Sequence, residues 1–253
     1  MRGCGCGTIL TFSTNKDMAV ILNIESSQST SSVALSVDGN VEWSAVEREA
    51  MHQATDLAPF VAQAMEEVTR KELKIDAVAV STGPGSYTGL RIGMSLAKGL
   101  AFGLDVPLIG VETLKLIAVK AMFRNLNFTG DEILVPMVDA RRMEVYTAAY
   151  DFRLDALIPP QAMIITEDSF KELPQDRQIW FMGDGAAKTK DVIKLPNAHW
   201  MDDVLPMAFD MVALAEKSFR EKDFLDLAYS VPFYIKDYEA VHGENPLKQL
   251  LGC

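Results

Sequence analysis

Ser81-Thr82-Gly83-Pro84-Gly85-Ser86-Tyr87-Thr88-Gly89-Leu90-Arg91 joins an apolar run, Ile75 to Val80, to a helix-like stretch that continues to Leu104. A strand that ends in a glycine- and hydroxyl-rich loop and feeds a helix leaves backbone N–H groups converging on one point, a common way to hold an anion. Spacing excludes a Walker loop, because five residues separate Gly83 from Gly89 and Leu90 rather than Lys follows. The dinucleotide fingerprint accommodates Gly83 and Gly85, but its third glycine falls one place late, at Gly89. Glu112, closing the next apolar run from Val106 to Val111, is the one feature that keeps a dinucleotide site open. A strand-to-helix turn with glycines at positive φ and no ligand explains the same residues.

Outward from the loop, the chain reads as strands and helices in a repeating order. Ala19 to Glu25 is apolar and β-branched; Ser32 to Val37 and Val41 to Val46 alternate around the turn Asp38-Gly39-Asn40. Leu57, Phe60, Val61, Ala64, Met65 and Val68 recur at helical spacing, with Thr55 or Asp56 as caps and Pro59 in the first turn. The strand Ile75 to Val80, the helix Thr88 to Leu104 and the strand Val106 to Val111 complete a β-β-β-α-β-α-β plan.

The second half repeats this grammar. Ile133 to Val138, Glu144 to Tyr150 and Gln161 to Ile165 read as strands, with Asp139-Ala140-Arg141-Arg142 as a turn. A short helix is expected around Thr166 to Glu172, then a strand Ile179 to Met182, the turn Gly183-Asp184-Gly185-Ala186, and an amphipathic helix Met207 to Arg220 after Pro206. Val231 to Ile235 is a further candidate strand. The expected division is a disordered tail at 1–17, domains at 18–115 and 116–235, and a mobile tail at 236–253. The fold class is therefore α/β, two tandem copies of one plan related by element order rather than residue identity.

Composition narrows the function. With 253 residues, 49% apolar and 23% charged, the chain reads as an ordinary globular protein, and no stretch approaches a membrane span. A net charge of −11 repels phosphate backbones at long range, so direct, independent nucleic-acid binding is not expected. Cys4, Cys6 and Cys253 lie at the extreme ends and cannot staple a core, which suits a reducing cytoplasm. His52, His199 and His242 have no i, i+4 partner for a metal, and Ser86 does not stand in a nucleophile elbow.

The strand-end acids Glu25 and Asp139 hold equivalent places in the two copies, where acids can hold a hydrated metal or cap a turn. Gly89, Gly93, Ala97 and Ala101 recur every four residues, with Gly99 and Gly103 adding to the small-residue content. Each Gly inside a helix costs about 1 kcal/mol against Ala, so several together imply that another backbone comes close. That backbone is either the chain's own sheet or another protein; Ile92, Leu96 and Leu100 flank the stripe and make the helix apolar nearly all round, which favours an external partner over the chain's own sheet.

Gly83 to Gly93, followed by Gly110-Val111-Glu112-Thr113-Leu114, resembles the signature of the TsaB (YeaZ) family. Supporting matches are Ile21 to Ser27, Val138-Asp139-Ala140-Arg141 with Glu144-Val145-Tyr146, and Val231-Pro232-Phe233-Tyr234. Where TsaB-like first strands commonly end in Asp, this chain has Glu25. The resemblance implies duplicated domains of the actin, sugar-kinase and heat-shock-chaperone class, ribonuclease H-like in plan. It also implies a cytoplasmic, non-catalytic partner of a TsaD-like enzyme in the threonylcarbamoylation of tRNA adenosine beside the anticodon. The expected partners are that subunit, a TsaE-like ATPase in the complex, a second copy when the chain is alone, and tRNA only indirectly.

The expected partner face is Leu57, Phe60, Val61, Ala64, Gly89, Ile92, Gly93, Leu96, Ala97, Leu100 and Ala101. Candidate nucleotide or phosphate contacts are Gly83, Gly85, Ser86, Thr88, Arg91 and Asp139, with no intrinsic cofactor and ATP or ADP with Mg at a complex interface. The alternatives are an ATP-using kinase or ATPase of the same fold and a metallopeptidase.

Overall fold

A computed structural model describes residues 19–47 and 53–236. The tails expected at 1–17 and after 236, with the three cysteines, His52 and His242, lie outside the described residues. Two compact units are present. Of the described residues, the first comprises those up to Ser81, Thr88–Val111 and Pro206–Ser230; the second comprises Thr82–Tyr87, Glu112–Leu205 and 231–236. The expected continuous domain at 116–235 is thereby corrected, since the segment 206–230 packs into the first unit.

The first unit is built on β1 (Val20–Glu25), β2 (Ser31–Val37), β3 (Asn40–Glu47), β4 (Ala77–Gly83) and β5 (Leu108–Glu112), in the sheet order β3-β2-β1-β4-β5. β1 is antiparallel to β2, with Leu22 opposite Leu35, and parallel to β4, with Leu22 opposite Val78. A central strand covered on both faces is mostly apolar, and β1 is buried along its whole length, its two polar residues being Asn23, whose amide donates to the Ile21 carbonyl and Ser36 Oγ, and Glu25 at its end. Val20, Leu22 and Ile24 enter a core with helices α1 (Gln53–Arg70) and α2 (Tyr87–Leu104).

α1 contributes Leu57, Val61, Ala64 and Val68, one helical stripe. Pro59 lies inside α1 on its exposed side, where its missing N–H removes one bond to the carbonyl four residues back. α2 contributes Met94, Ala97 and Ala101. Its Gly93 lies so close to the turn after β1 that an added Cβ would sit 2.2 Å from Ser26 Oγ. Ser26 Oγ donates to the Gly89 carbonyl at 2.9 Å and fixes that approach.

Segment 206–230 adds a 3-10 turn at Ala208–Met211 and helix α4 (Val212–Glu221), where a single helix from Met207 to Arg220 was expected. The chain is tied to the sheet by Ala208 N–H donating to Ser32 Oγ at 2.9 Å and Gly39 N–H donating to Glu216 Oε1 at 3.2 Å. No strand forms at 231–235; there Phe233 N–H donates to the Thr82 carbonyl at 2.7 Å.

The second unit repeats the sheet. With β6 (Ile133–Asp139), β7 (Glu144–Tyr150), β8 (Ala156–Ile164), β9 (Ile179–Met182) and β10 (Ala198–Met201), its order is β10-β9-β6-β7-β8. Counted along the chain from each unit's first strand, both orders are 3-2-1-4-5, with the second strand antiparallel to both its neighbours and the fourth parallel to the first.

The helices are not repeated. Residues 167–172 form turns rather than the helix expected around 166–172, because buried Phe170 takes φ +67°, outside the helical region. A 3-10 turn at Ala187–Thr189 joins β9 to β10. Sequence reading missed β10 and helix α3 (Thr113–Arg124), whose Leu114, Ile117, Ala118 and Ala121 pack with Leu134, Ala148, Tyr150 and Met182.

Two glycines of α2 separate packing from propensity. Gly93→Ala is expected to cost about 2 kcal/mol by forcing Ser26 aside, whereas Gly99→Ala, with nothing within 4 Å of the new Cβ, is expected to gain about 1 kcal/mol. Urea unfolding midpoints of the two variants should move in opposite directions.

Candidate functional site

The loop between β4 and α2 is shorter than its sequence suggests. β4 runs through Ser81 and Thr82 to Gly83, which takes φ +113°, and α2 starts at Tyr87, leaving residues 84–86 between them. The Tyr87 ring meets Tyr234 with centroids 4.9 Å apart, and Phe233 N–H is held by Thr82, so 233–234 lie along this loop. Gly83 is buried, Gly85 and Ser86 are half-buried, and Thr88 and Arg91 are exposed. The first turn of α2 carries no acidic residue that would oppose an anion.

At the end of β1, Glu25 is fully buried among Ser26, Ser27, Gln28, Thr30, Ser32 and Ser81, all buried. Its Oε1 accepts Ser27 N–H at 2.6 Å, and its Oε2 has no hydrogen-bond partner. Burial pushes the carboxyl up from 4.5 to about 7, against hydrogen bonds from Ser27 and Ser81 that favour the charged form, while Asp210 raises it further. A carboxyl so enclosed is a proton holder rather than a ligand for a hydrated cation.

Asp139 ends β6, the corresponding strand of the second unit, in different surroundings. It is exposed, and its Oδ1 accepts Lys188 Nζ at 2.5 Å and Arg141 N–H at 2.8 Å. Asp139 N–H donates to Asp184 Oδ1 at 2.9 Å. Asp184 belongs to the expected glycine turn, where Gly183 takes φ +101° and an added Cβ would lie 2.3 Å from the Met137 carbonyl oxygen. The turn therefore lies backbone against backbone on β6, and only glycine fits there. Among the described residues no cluster of three His, Cys, Asp or Glu side chains could hold a metal ion, and His199 stacks on Trp180 with centroids 4.8 Å apart.

The expected partner face divides in two. Leu57, Val61, Ala64, Gly89, Gly93, Ala97 and Ala101 are buried in their own unit. The small-residue stripe faces the chain's own sheet, which corrects its assignment to an outside partner. Phe60, Ile92, Leu96 and Leu100 are half-buried against the same core.

What α2 turns outward is Ser95, Gly99, Gly103 and Phe102, the last 79% exposed; α1 adds exposed Ala58 and Ala62. Lys98 Nζ donates at 3.0 Å to the carbonyls of Ala228 and Ser230, holding Tyr229, 85% exposed, in the same unit. Sequence reading counted Gly99 and Gly103 only as additional small residues. Their spacing of four was the available signal for this outer stripe.

The chain is 30% identical to the tRNA threonylcarbamoyladenosine biosynthesis protein TsaB of Escherichia coli over 225 residues, covering 86% of this chain and 94% of that one. It is also 30% identical to the Bacillus subtilis protein of the same name over 179 residues, 69% of this chain and 75% of that one. The chain belongs to the TsaB (YeaZ) family. The family model for TsaD, tRNA N6-adenosine threonylcarbamoyltransferase, matches residues 47–248. The solved structure of YeaZ from Pseudomonas aeruginosa superposes with a TM-score of 0.72 at 26% identity, covering 86% of this chain and 100% of that one.

This TsaB-family chain has the α/β fold of duplicated actin-like, ribonuclease H-like domains, which the twin 3-2-1-4-5 sheets display directly. No helix among the described residues is long and apolar enough to cross a membrane.

Glu25 gives the family fold a pH dependence of its own in this chain. The folded state keeps a proton to about pH 7 that the unfolded chain releases near 4.5. Stability is therefore full below about pH 4.5, falls as pH rises towards 7 and levels off above, by about 3 kcal/mol at this site. Glu25→Gln removes this contribution. Denaturant melts of both proteins at pH 5, 6 and 7.5 should show wild type losing stability relative to the variant as pH rises.

Proposed function

We propose that this chain is a non-catalytic subunit in threonylcarbamoylation of tRNA adenosine, pairing through the outer faces of α1 and α2 with a TsaD-like enzyme. The carrying observation is the outward stripe of α2. Gly99 and Gly103 have open space where a Cβ would be, Ser95 continues the stripe, and exposed Phe102 stands beside it. A helix that gives up propensity at two exposed positions offers its backbone to another helix, and a large aromatic next to it supplies the apolar contact. Ala58 and Ala62 give α1 a similarly low profile.

Two copies of the chain pair through the same face when the TsaD-like subunit is absent. A TsaE-like ATPase joins the assembled complex, ATP or ADP with Mg belongs at an interface of that complex, and tRNA is reached through the partner. A cytoplasmic setting follows from this role.

The second reading, an ATP-using enzyme of the same fold, needs acids free to hold a hydrated metal. The residues do not fit that need, because Glu25 is sealed and inclined to hold a proton, while Asp139 is engaged by Lys188. A metallopeptidase has no described donor cluster to support it.

The double variant Gly99→Leu/Gly103→Leu should keep the wild-type circular dichroism and lose at least tenfold in affinity for a TsaD-like subunit in a pull-down titration. Undiminished binding would remove this face from the complex. The purified chain given ATP and Mg is expected to show no turnover above background, and clear turnover would favour the enzyme reading.

A further inference from the structure

The hairpin turn between β6 and β7 carries two adjacent arginines, Arg141 and Arg142. They take φ +72° and φ +50°. Left-handed backbone costs an ordinary L-residue roughly 1 kcal/mol or more, and Gly or Asn would occupy it at less cost. The turn is well determined: Ala140 N–H donates to the Glu144 carbonyl and Glu144 N–H to the Arg141 carbonyl, both at 3.1 Å. Asp139 Oδ1 accepts Arg141 N–H at 2.8 Å, and Met143 packs into the core of the unit behind the turn. Two long cationic side chains thus stand at strained positions on a rigid mount.

The surrounding acids do not neutralise them. Asp139 is paired with Lys188 at 2.5 Å, Glu144 with Lys236 at 2.5 Å, and Asp184 accepts Asp139 N–H. Both arginines are exposed, and among the described residues neither guanidinium has a hydrogen-bond or ion-pair partner. Strain that persists under unpaired functional groups points to a use for those groups.

We propose that the Arg141–Arg142 turn is a contact for RNA phosphates, used when the chain is part of its complex. This rests on the tRNA-modifying role proposed above and adds a direct nucleic-acid contact to it. Guanidinium forks match phosphate oxygens two at a time. Adjacent forks on an exposed tip suit a run of phosphodiesters better than a small ligand, which would need enclosing walls. The net charge of −11 repels RNA at long range, so this tip contributes only where a partner has already brought the RNA near.

The test is Arg141→Asn/Arg142→Asn, because Asn tolerates the left-handed backbone and removes the charge. Fluorescently labelled tRNA is titrated into the complex of chain and TsaD-like subunit over a range of salt concentrations. The variant should form the complex normally, bind tRNA about tenfold more weakly at low salt, and show a log affinity against log salt slope smaller in magnitude by about 1 to 2. Arg141→Lys/Arg142→Lys should keep most of the slope.

Unchanged affinity and slope in the Asn variant would overturn the proposal. So would loss of complex assembly in that variant, which would assign the turn to a protein contact, or loss of nucleotide binding with tRNA binding intact. If the wild-type chain does not pair with the TsaD-like subunit at all, the assembly reading fails. That outcome removes the setting in which the tip acts and overturns this proposal with it, whereas normal pairing with unchanged slopes overturns this proposal alone.

Discussion

Ser26 Oγ occupies the space that a side chain at position 93 would need, 2.2 Å from where its Cβ would lie, and from there donates to the Gly89 carbonyl. This one close approach sets α2 against the end of β1 and orients the rest of the helix. Because Gly93 faces inward, Met94, Ala97 and Ala101 follow it into the core, and Ser95, Gly99 and Gly103 turn outward. The outward face of α2 is thus the complement of a packing constraint. Ser26 also adjoins Glu25, whose carboxyl the same turn encloses, so the contact that places the helix also helps to seal the acid.

Equivalent positions in a duplicated plan need not keep equivalent chemistry. Glu25 and Asp139 both end the first strand of a sheet with the order 3-2-1-4-5. Glu25 lies among buried hydroxyls with one oxygen unpartnered and its affinity for a proton raised; Asp139 lies in water, fastened to a lysine and a turn N–H. Burial penalises charge far more than a partner at the surface rewards it, so the two acids part company through their surroundings.

Much of the fold was legible because its signals are local. Alternation in β2 and β3, the apolar runs of β1 and β4, and the turn Asp38-Gly39-Asn40 read directly from residue order, as did the helical stripe of α1. α3 was missed because it is apolar almost all round and follows a strand without a turn signal. β10 is only four half-buried residues, too short for a period to show. Residues 166–172 read as a helix until the positive φ of Phe170, fixed by burial of its ring, is taken into account.

The sequence by itself determined the repeated succession of strands apart from β10, the strand-to-helix loop and membership of the TsaB family, since each rests on neighbouring residues or a contiguous motif. Only the tertiary structure decided which side of α2 meets the sheet, because a helix with small and apolar residues around most of its circumference carries no local mark of its inner face. It also decided that 206–230 returns to the first unit and that Glu25 is enclosed. Those outcomes depend on residues far apart in the chain competing for the same space, and no period or spacing along the chain records that competition.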